Sequence, residues 1–198
     1  MQRKLNCITL LFCLLSANLA YSQLASPFSY HIRFSMKGYN MPLKKLVDNF
    51  KNPGIALGVD YAYNSKQSAL QSFNIGWLNH SEHGNSLYVS SQFHYRPAFG
   101  HLRPGLGVGL GRMIYFNNTN PLYEQLNGKW QKSGSQIESR WLIPISSDLG
   151  YEMAVGKGYR ITPFVGYELM PVIKYNPAFP ILPSSLLTVG SRFNLPKK

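Results

Sequence analysis

Ile55-Ala56-Leu57-Gly58-Val59-Asp60-Tyr61-Ala62-Tyr63-Asn64 puts an apolar residue at every odd position and a small or polar one at every even position. A β-strand turns successive side chains to opposite faces, so this stretch reads as a strand with one greasy and one polar side. The same alternation recurs over 28–37, 70–78, 87–96, 103–115, 138–153, 159–169 and 186–195, which together with 54–64 makes eight segments. Along the greasy side of the eight, 34 of 39 residues are apolar. No helical repeat or heptad competes with this period. The pattern predicts an all-β chain of eight antiparallel strands.

Two architectures fit such strands. A secreted lipocalin-like barrel holds its apolar face inside, around a small apolar ligand; a transmembrane barrel turns that face to lipid and fills its lumen with polar groups. The kind of polar residue separates them. A solvated exterior would carry Lys and Glu, whereas this second face is Gly, Ser, Asn, Thr and Arg, with Gly105, Gly107, Gly109 and Gly111 filling one strand. Arg33, Arg96, Arg103, Arg140, Arg160 and Arg192 fall on it, and only Arg112 falls on the greasy side. Asp60, Glu138, Asp148, Glu152 and Glu168 share the polar face, while most Lys sit in connections or at ends. Arg favours partly buried bidentate pairs and Lys stays hydrated, so a lumenal salt-bridge network is the expected home of these groups and of His94.

Connection lengths point the same way. They alternate long (38–53), short (65–69), moderate (79–86), short (97–102), long (116–137), short (154–158) and long (170–185). Outer-membrane barrels have short periplasmic turns and longer extracellular loops, which puts both termini in the periplasm. Tyr30, Tyr61, Tyr63, Tyr95, Tyr151 and Phe193 then gather near the turn ends of strands, and Trp77 and Trp141 near the loop ends, the two levels that bilayer interfaces favour.

The N-terminus fits export. Arg3 and Lys4 precede a mostly apolar run from Leu5 to Leu15, and Ala20-Tyr21-Ser22 offers small residues at −3 and −1 for cleavage before Gln23. Residues 1–22 are therefore expected to be a cleaved signal peptide and 23–198 a single barrel domain. Both cysteines, Cys7 and Cys13, leave with the signal, so the mature chain is expected to fold without disulfides. The net charge of +12 falls to +10 as Arg3 and Lys4 go. With 44% hydrophobic and 14% aromatic residues the chain is too apolar for a disordered basic tail, and its mean hydropathy of −0.16 excludes a bundle of membrane helices. The inward arginines remove much of the surface charge that would suggest nucleic acid.

The last strand carries a further signature. In Thr188-Val189-Gly190-Ser191-Arg192-Phe193-Asn194-Leu195, the residues Thr188, Gly190, Phe193 and Leu195 resemble the C-terminal β-signal of Gram-negative outer-membrane barrels. The resemblance implies recognition by the barrel-assembly machinery and insertion in the outer membrane. The chain departs from the usual form by continuing through Pro196, Lys197 and Lys198.

Chemistry is sparse. His94-Tyr95-Arg96-Pro97 resembles the His-x-Ser-Asn pattern of the membrane lipid A deacylases, but Arg96 and Pro97 stand where the Ser and Asn belong, and His94 points to the lumen. His80, Glu82 and His83 share one connection, where three polar side chains are ordinarily solvated. No catalytic set, metal site or cofactor is expected. Leu43, Leu46, Val47 and Phe50 recur at helical spacing beside Lys44, Lys45 and Lys51, predicting a short amphipathic helix at the outer mouth. The outer loops are the surfaces for another envelope protein, and the loop lysines face outer-membrane lipids and lipopolysaccharide. The expected role is a non-enzymatic envelope-structural, accessory-subunit or surface-binding barrel with a plugged lumen. A lipid-modifying enzyme is the alternative, and a solute conduit ranks below both.

Overall fold

The computed structural model describes residues 26–38, 52–79, 85–116, 122–126, 129–133, 137–156, 158–173 and 181–196. Its strands are β1 (Phe28–Gly38), β2 (Pro53–Ala62), β3 (Ala69–Leu78), β4 (Asn85–Tyr95), β5 (Leu102–Phe116), β6 (Leu122–Leu126) and β7 (Lys129–Ser133). They continue with β8 (Ile137–Leu142), β9 (Ile145–Tyr151), β10 (Met153–Ala154), β11 (Arg160–Leu169), β12 (Val172–Ile173), β13 (Ile181–Leu182) and β14 (Ser185–Asn194).

Eight staves form the wall: β1 to β5, the interrupted pair β8 and β9, β11, and β14. Each pairs antiparallel with its neighbours, and β14 closes the ring on β1 from Ser29↔Asn194 to Gly38↔Ser185. Closure leaves the wall without an open edge, the condition for crossing a bilayer with strands. All longer connections leave one end of the barrel (the loop end). The short turns 63–68, 96–101 and 155–159 share the other (the turn end) with both chain termini of the barrel. At the turns, Asn64 Oδ1 accepts the Ser68 amide at 2.8 Å, and Gly156 and Gly158 take φ of +60° and +84°, values that side chains with a Cβ resist.

The wall has its greasy face outward. Phe34, Leu57, Phe73, Leu106 and Val165 are each more than half exposed, whereas Asp60 and Glu168 are 1% exposed. This inverts the arrangement of a soluble protein. The lipocalin-like alternative, which needs the apolar face inside, is excluded by it. At the turn end, rings run around the outside from Phe28 to Tyr61 (5.3 Å), Tyr63 (5.5 Å) and Phe93 (6.4 Å); at the loop end Trp77 stacks on Phe116 at 5.4 Å.

Three expectations are corrected. The sixth strand, read as continuous over 138–153, breaks at Ile143-Pro144, because proline has no N–H to give the ladder. The seventh and eighth staves break at the same level, at Pro171 and Pro183. There Ile143 N–H donates to Pro171 O (3.1 Å) and Met170 N–H to Ser184 O (2.7 Å). Past this line β8, β12 and β13 pair in turn, so strands extend into the segment read as the 170–185 loop. Within 116–137, also read as loop, β6 and β7 make a separate hairpin. The expected helix with Leu43, Leu46, Val47 and Phe50, and the signal peptide 1–22, lie outside the described residues.

Candidate functional site

The lumen is built from cross-strand partners of unequal size. His31 faces Gly58, Tyr88 faces Gly76, His94 faces Gly107, Asp148 faces Gly105 and Phe164 faces Gly190. A Cβ on Gly58 would fall on the His31 ring, and one on Gly76 would stand 2.5 Å from Tyr88 Cζ. The glycines on the polar face are therefore recesses that receive large side chains from the next stave.

Into this packing fold three layers of charge. Nearest the turn end, Glu152 holds Arg103 at 2.9 Å and Arg160 at 3.3 Å. Gln67 Oε1 accepts from Arg160 (3.1 Å) and from Asn194 (3.0 Å). The middle layer is continuous. Arg96 Nη1 lies 2.9 Å from Asp60 and its Nε 3.5 Å from Asp148, which Arg192 meets at 2.7 Å. Asp60 also takes the Ser72 hydroxyl and lies 3.4 Å from His31 Nδ1. Above it, Arg33 reaches Glu168 (3.1 Å), Asn74 (3.0 Å) and the Tyr88 hydroxyl (3.3 Å), while Gln92 Nε2 donates to the other oxygen of Glu168 at 2.7 Å. Arg192 also lies over the Phe164 ring at 3.8 Å. Burial strengthens the contacts of the middle and upper layers, and leaves every partner there costly to lose.

The loop-end half of the lumen is different. Ala56, Leu78, Tyr88, Met113, Tyr115, Leu142, Met170, Val172 and Leu186 form one buried apolar cluster. Leu78, Met113, Leu142, Met170, Val172 and Leu186 have no exposed area at all, so none lines an aqueous channel. Lys37 enters this cluster, donating to Ser86 Oγ at 3.3 Å with its ammonium 5.5 Å from the Tyr115 ring centroid. Below it are two cavities. One, of about 20 Å³, is lined by His31, Arg33, His94, Arg96, Asp148 and Arg192 among others; the second, of about 30 Å³, lies among Gln67, Arg103, Glu152 and Asn194. Such volumes admit one or two waters.

The expected polar residues thus divide. Arg33, Asp60, Arg96, Asp148, Glu168 and Arg192 meet in the middle and upper layers, with His94 beside them against Gly107. Glu152 and Arg160 form the separate turn-end layer with Arg103. Glu138 and Arg140 pair with each other at 2.7 Å near the loop end, apart from the rest and partly exposed. His31, Asn74, Tyr88 and Gln92 were not singled out from sequence, although each occupies a polar-face position of its strand and period two would have found them. In β14, Thr188 and Arg192 are buried on the lumen side and Gly190 lies under Phe164, while Phe193 pairs with Tyr30 and Ile161. His80, Glu82 and His83 lie outside the described residues.

A closed eight-stranded antiparallel wall, greasy outside and charged inside, defines the small outer-membrane β-barrels. Among solved structures, the chain matches the barrel of Neisserial surface protein A (TM-score 0.58, 13% identity, 86% of this chain and 99% of that one). It also matches the N-terminal β-barrel domain of Pseudomonas aeruginosa OprF (TM-score 0.47, 11% identity, 84% and 97%) and the outer membrane enzyme PagL (TM-score 0.42, 12% identity, 83% and 97%). At these identities the likeness is one of fold. No protein-family model and no curated protein matches the sequence.

Proposed function

We propose that the protein is a non-conducting, non-enzymatic barrel of the outer membrane, with a structural, accessory-subunit or surface-binding role exercised through its outer loops. On this reading residues 1–22 are removed on export. Thr188, Gly190, Phe193 and Leu195 then present the last strand to the barrel-assembly machinery.

The observation that carries it is the lumen: charges are paired in the turn-end half and apolar side chains without exposed area fill the loop-end half. An eight-stranded barrel is just wide enough for its own side chains. The non-enzymatic part rests on the histidines. His31 and His94 are buried inside, and His101 is at a turn, stacked on Tyr151 at 5.5 Å with its Nδ1 3.0 Å from Glu152 O. None of these three described histidines makes the hydrogen bond to a serine that a nucleophile would need.

In planar bilayers the refolded protein should give no steady conductance, while its unheated form migrates differently from the heated form in detergent gels. A stable open-channel current would refute the plugged lumen. Incubation with lipopolysaccharide should leave the acyl chains of lipid A unchanged by mass spectrometry; loss of a chain would restore the enzyme alternative.

A further inference from the structure

Arg112 stands on the lipid-facing side of β5, between Val89 of β4 and Trp141 of β8. Its guanidinium carbon lies 4.4 Å from the centre of the Trp141 ring. A cation–π contact of this kind engages the charge of the guanidinium and leaves donors of its fork available to an anion.

The described carboxylates are engaged elsewhere. Asp60, Asp148, Glu152 and Glu168 are held by arginines inside the lumen, and Glu138 by Arg140. None of these five carboxylates pairs with Arg112. Its surroundings on the outer face are Leu110, Val89 and Trp141, each at least half exposed, with the Trp77–Phe116 stack farther along the same face.

Arg112 lies ten residues above Leu102, the turn-end start of β5. At about 3.4 Å per residue and a tilt of roughly 40° this is about 26 Å, the height of the apolar band of an outer-membrane barrel. The guanidinium therefore stands where acyl chains give way to headgroups. With the loop end outward, the anionic lipid at that level is lipopolysaccharide.

We infer that Arg112 and Trp141 form a docking site for a phosphate of lipid A, the guanidinium fork taking the phosphate oxygens while Trp141, Leu110 and Val89 line the acyl chains. The inference rests on the outer-membrane reading and adds a lipid and a position to it.

Native mass spectrometry of the detergent-solubilised, folded barrel tests it. The probes are bisphosphorylated lipid A, dephosphorylated lipid A and phosphatidylglycerol. Wild type should retain the bisphosphorylated form, and Arg112→Ala should bind it about tenfold more weakly, the loss typical of one charge-assisted contact. Arg112→Lys should fall between them, and Arg140→Ala, whose guanidinium pairs with Glu138, should match wild type. The unheated gel band verifies folding of each variant, with Arg112→Gln replacing Arg112→Ala if that variant lacks it. Equal retention by Arg112→Ala overturns the site, and equal binding of dephosphorylated lipid A or of phosphatidylglycerol overturns the assignment to lipid A phosphate. Fractionation of wild type away from outer membranes would instead refute the reading beneath it, and leaves a distinct signature because the binding assay is done in detergent.

Discussion

Arg96→Ala should lower the unfolding free energy of the barrel by about 3–5 kcal/mol, the cost of leaving a buried charge without its partner. Arg96 touches two carboxylates, Asp60 at 2.9 Å and Asp148 at 3.5 Å. Without it, Asp148 keeps Arg192, but Asp60 is left with Ser72 and His31 in a site 1% exposed. Urea titration in lipid vesicles, followed by tryptophan fluorescence and by the gel shift, reads the loss. Glu138→Ala breaks a pair of similar length whose side chains are 28% and 37% exposed, and should cost about 0–1 kcal/mol. Arg96→Met with Asp60→Leu replaces the buried pair by apolar groups of similar bulk, and should recover most of what Arg96→Ala loses. A loss below about 1 kcal/mol for Arg96→Ala would show that the lumenal pairs do not bear on stability, and a double variant worse than the single would show that the loss does not come from the unpaired charge on Asp60.

The wall was legible in the sequence because each face of a membrane barrel meets one environment. Lipid asks the same of Leu57, Phe73 and Val165, so period two survives along the chain, and even the outlying Arg112 is visible as an exception to it. The contents of the lumen were less legible. Alternation places Asp60, Arg96 and Asp148 on one face but does not say which arginine meets which acid. That depends on how far each strand is slid against the next, as in Asp60↔Ser72 and Gly105↔Asp148. The apolar loop-end cluster was hidden for a related reason. Met113 and Tyr115 break the alternation at the loop end of β5 and Leu142 at the end of β8, and only the closed ring brings them together with Leu78, Met170 and Leu186. The break in the sixth strand did have a signal in Pro144, whose absent N–H ends a ladder, and Pro171 and Pro183 repeat it on the adjoining staves.

The same ring geometry makes the glycines as demanding as the charges. Across one level of the wall Ala56, Gly76, Tyr88 and Met113 are successive cross-strand partners, two small residues followed by two large ones. The Tyr88 ring lies over Gly76, its hydroxyl 2.7 Å from where a Cβ would be and accepting a hydrogen bond from Arg33 at 3.3 Å. A methyl group at Gly76 must displace that ring, and with it a contact that holds Arg33 against Glu168. Gly76→Ala should therefore cost about 1–3 kcal/mol, the range for overpacking a filled interior. Tyr88→Ala should cost about 3–5 kcal/mol by opening a cavity. The double variant should cost at least about 1 kcal/mol less than the sum of the two, because the alanine at 76 meets no ring once Tyr88 is gone. Gly100→Ala is the contrast: its φ is +62° but nothing lies near its missing Cβ, so only the backbone term of about 1 kcal/mol should be lost. Additive losses at 76 and 88 would mean that the recess does not set the position of Tyr88. The small residues of the polar face would then be spacing rather than complementarity.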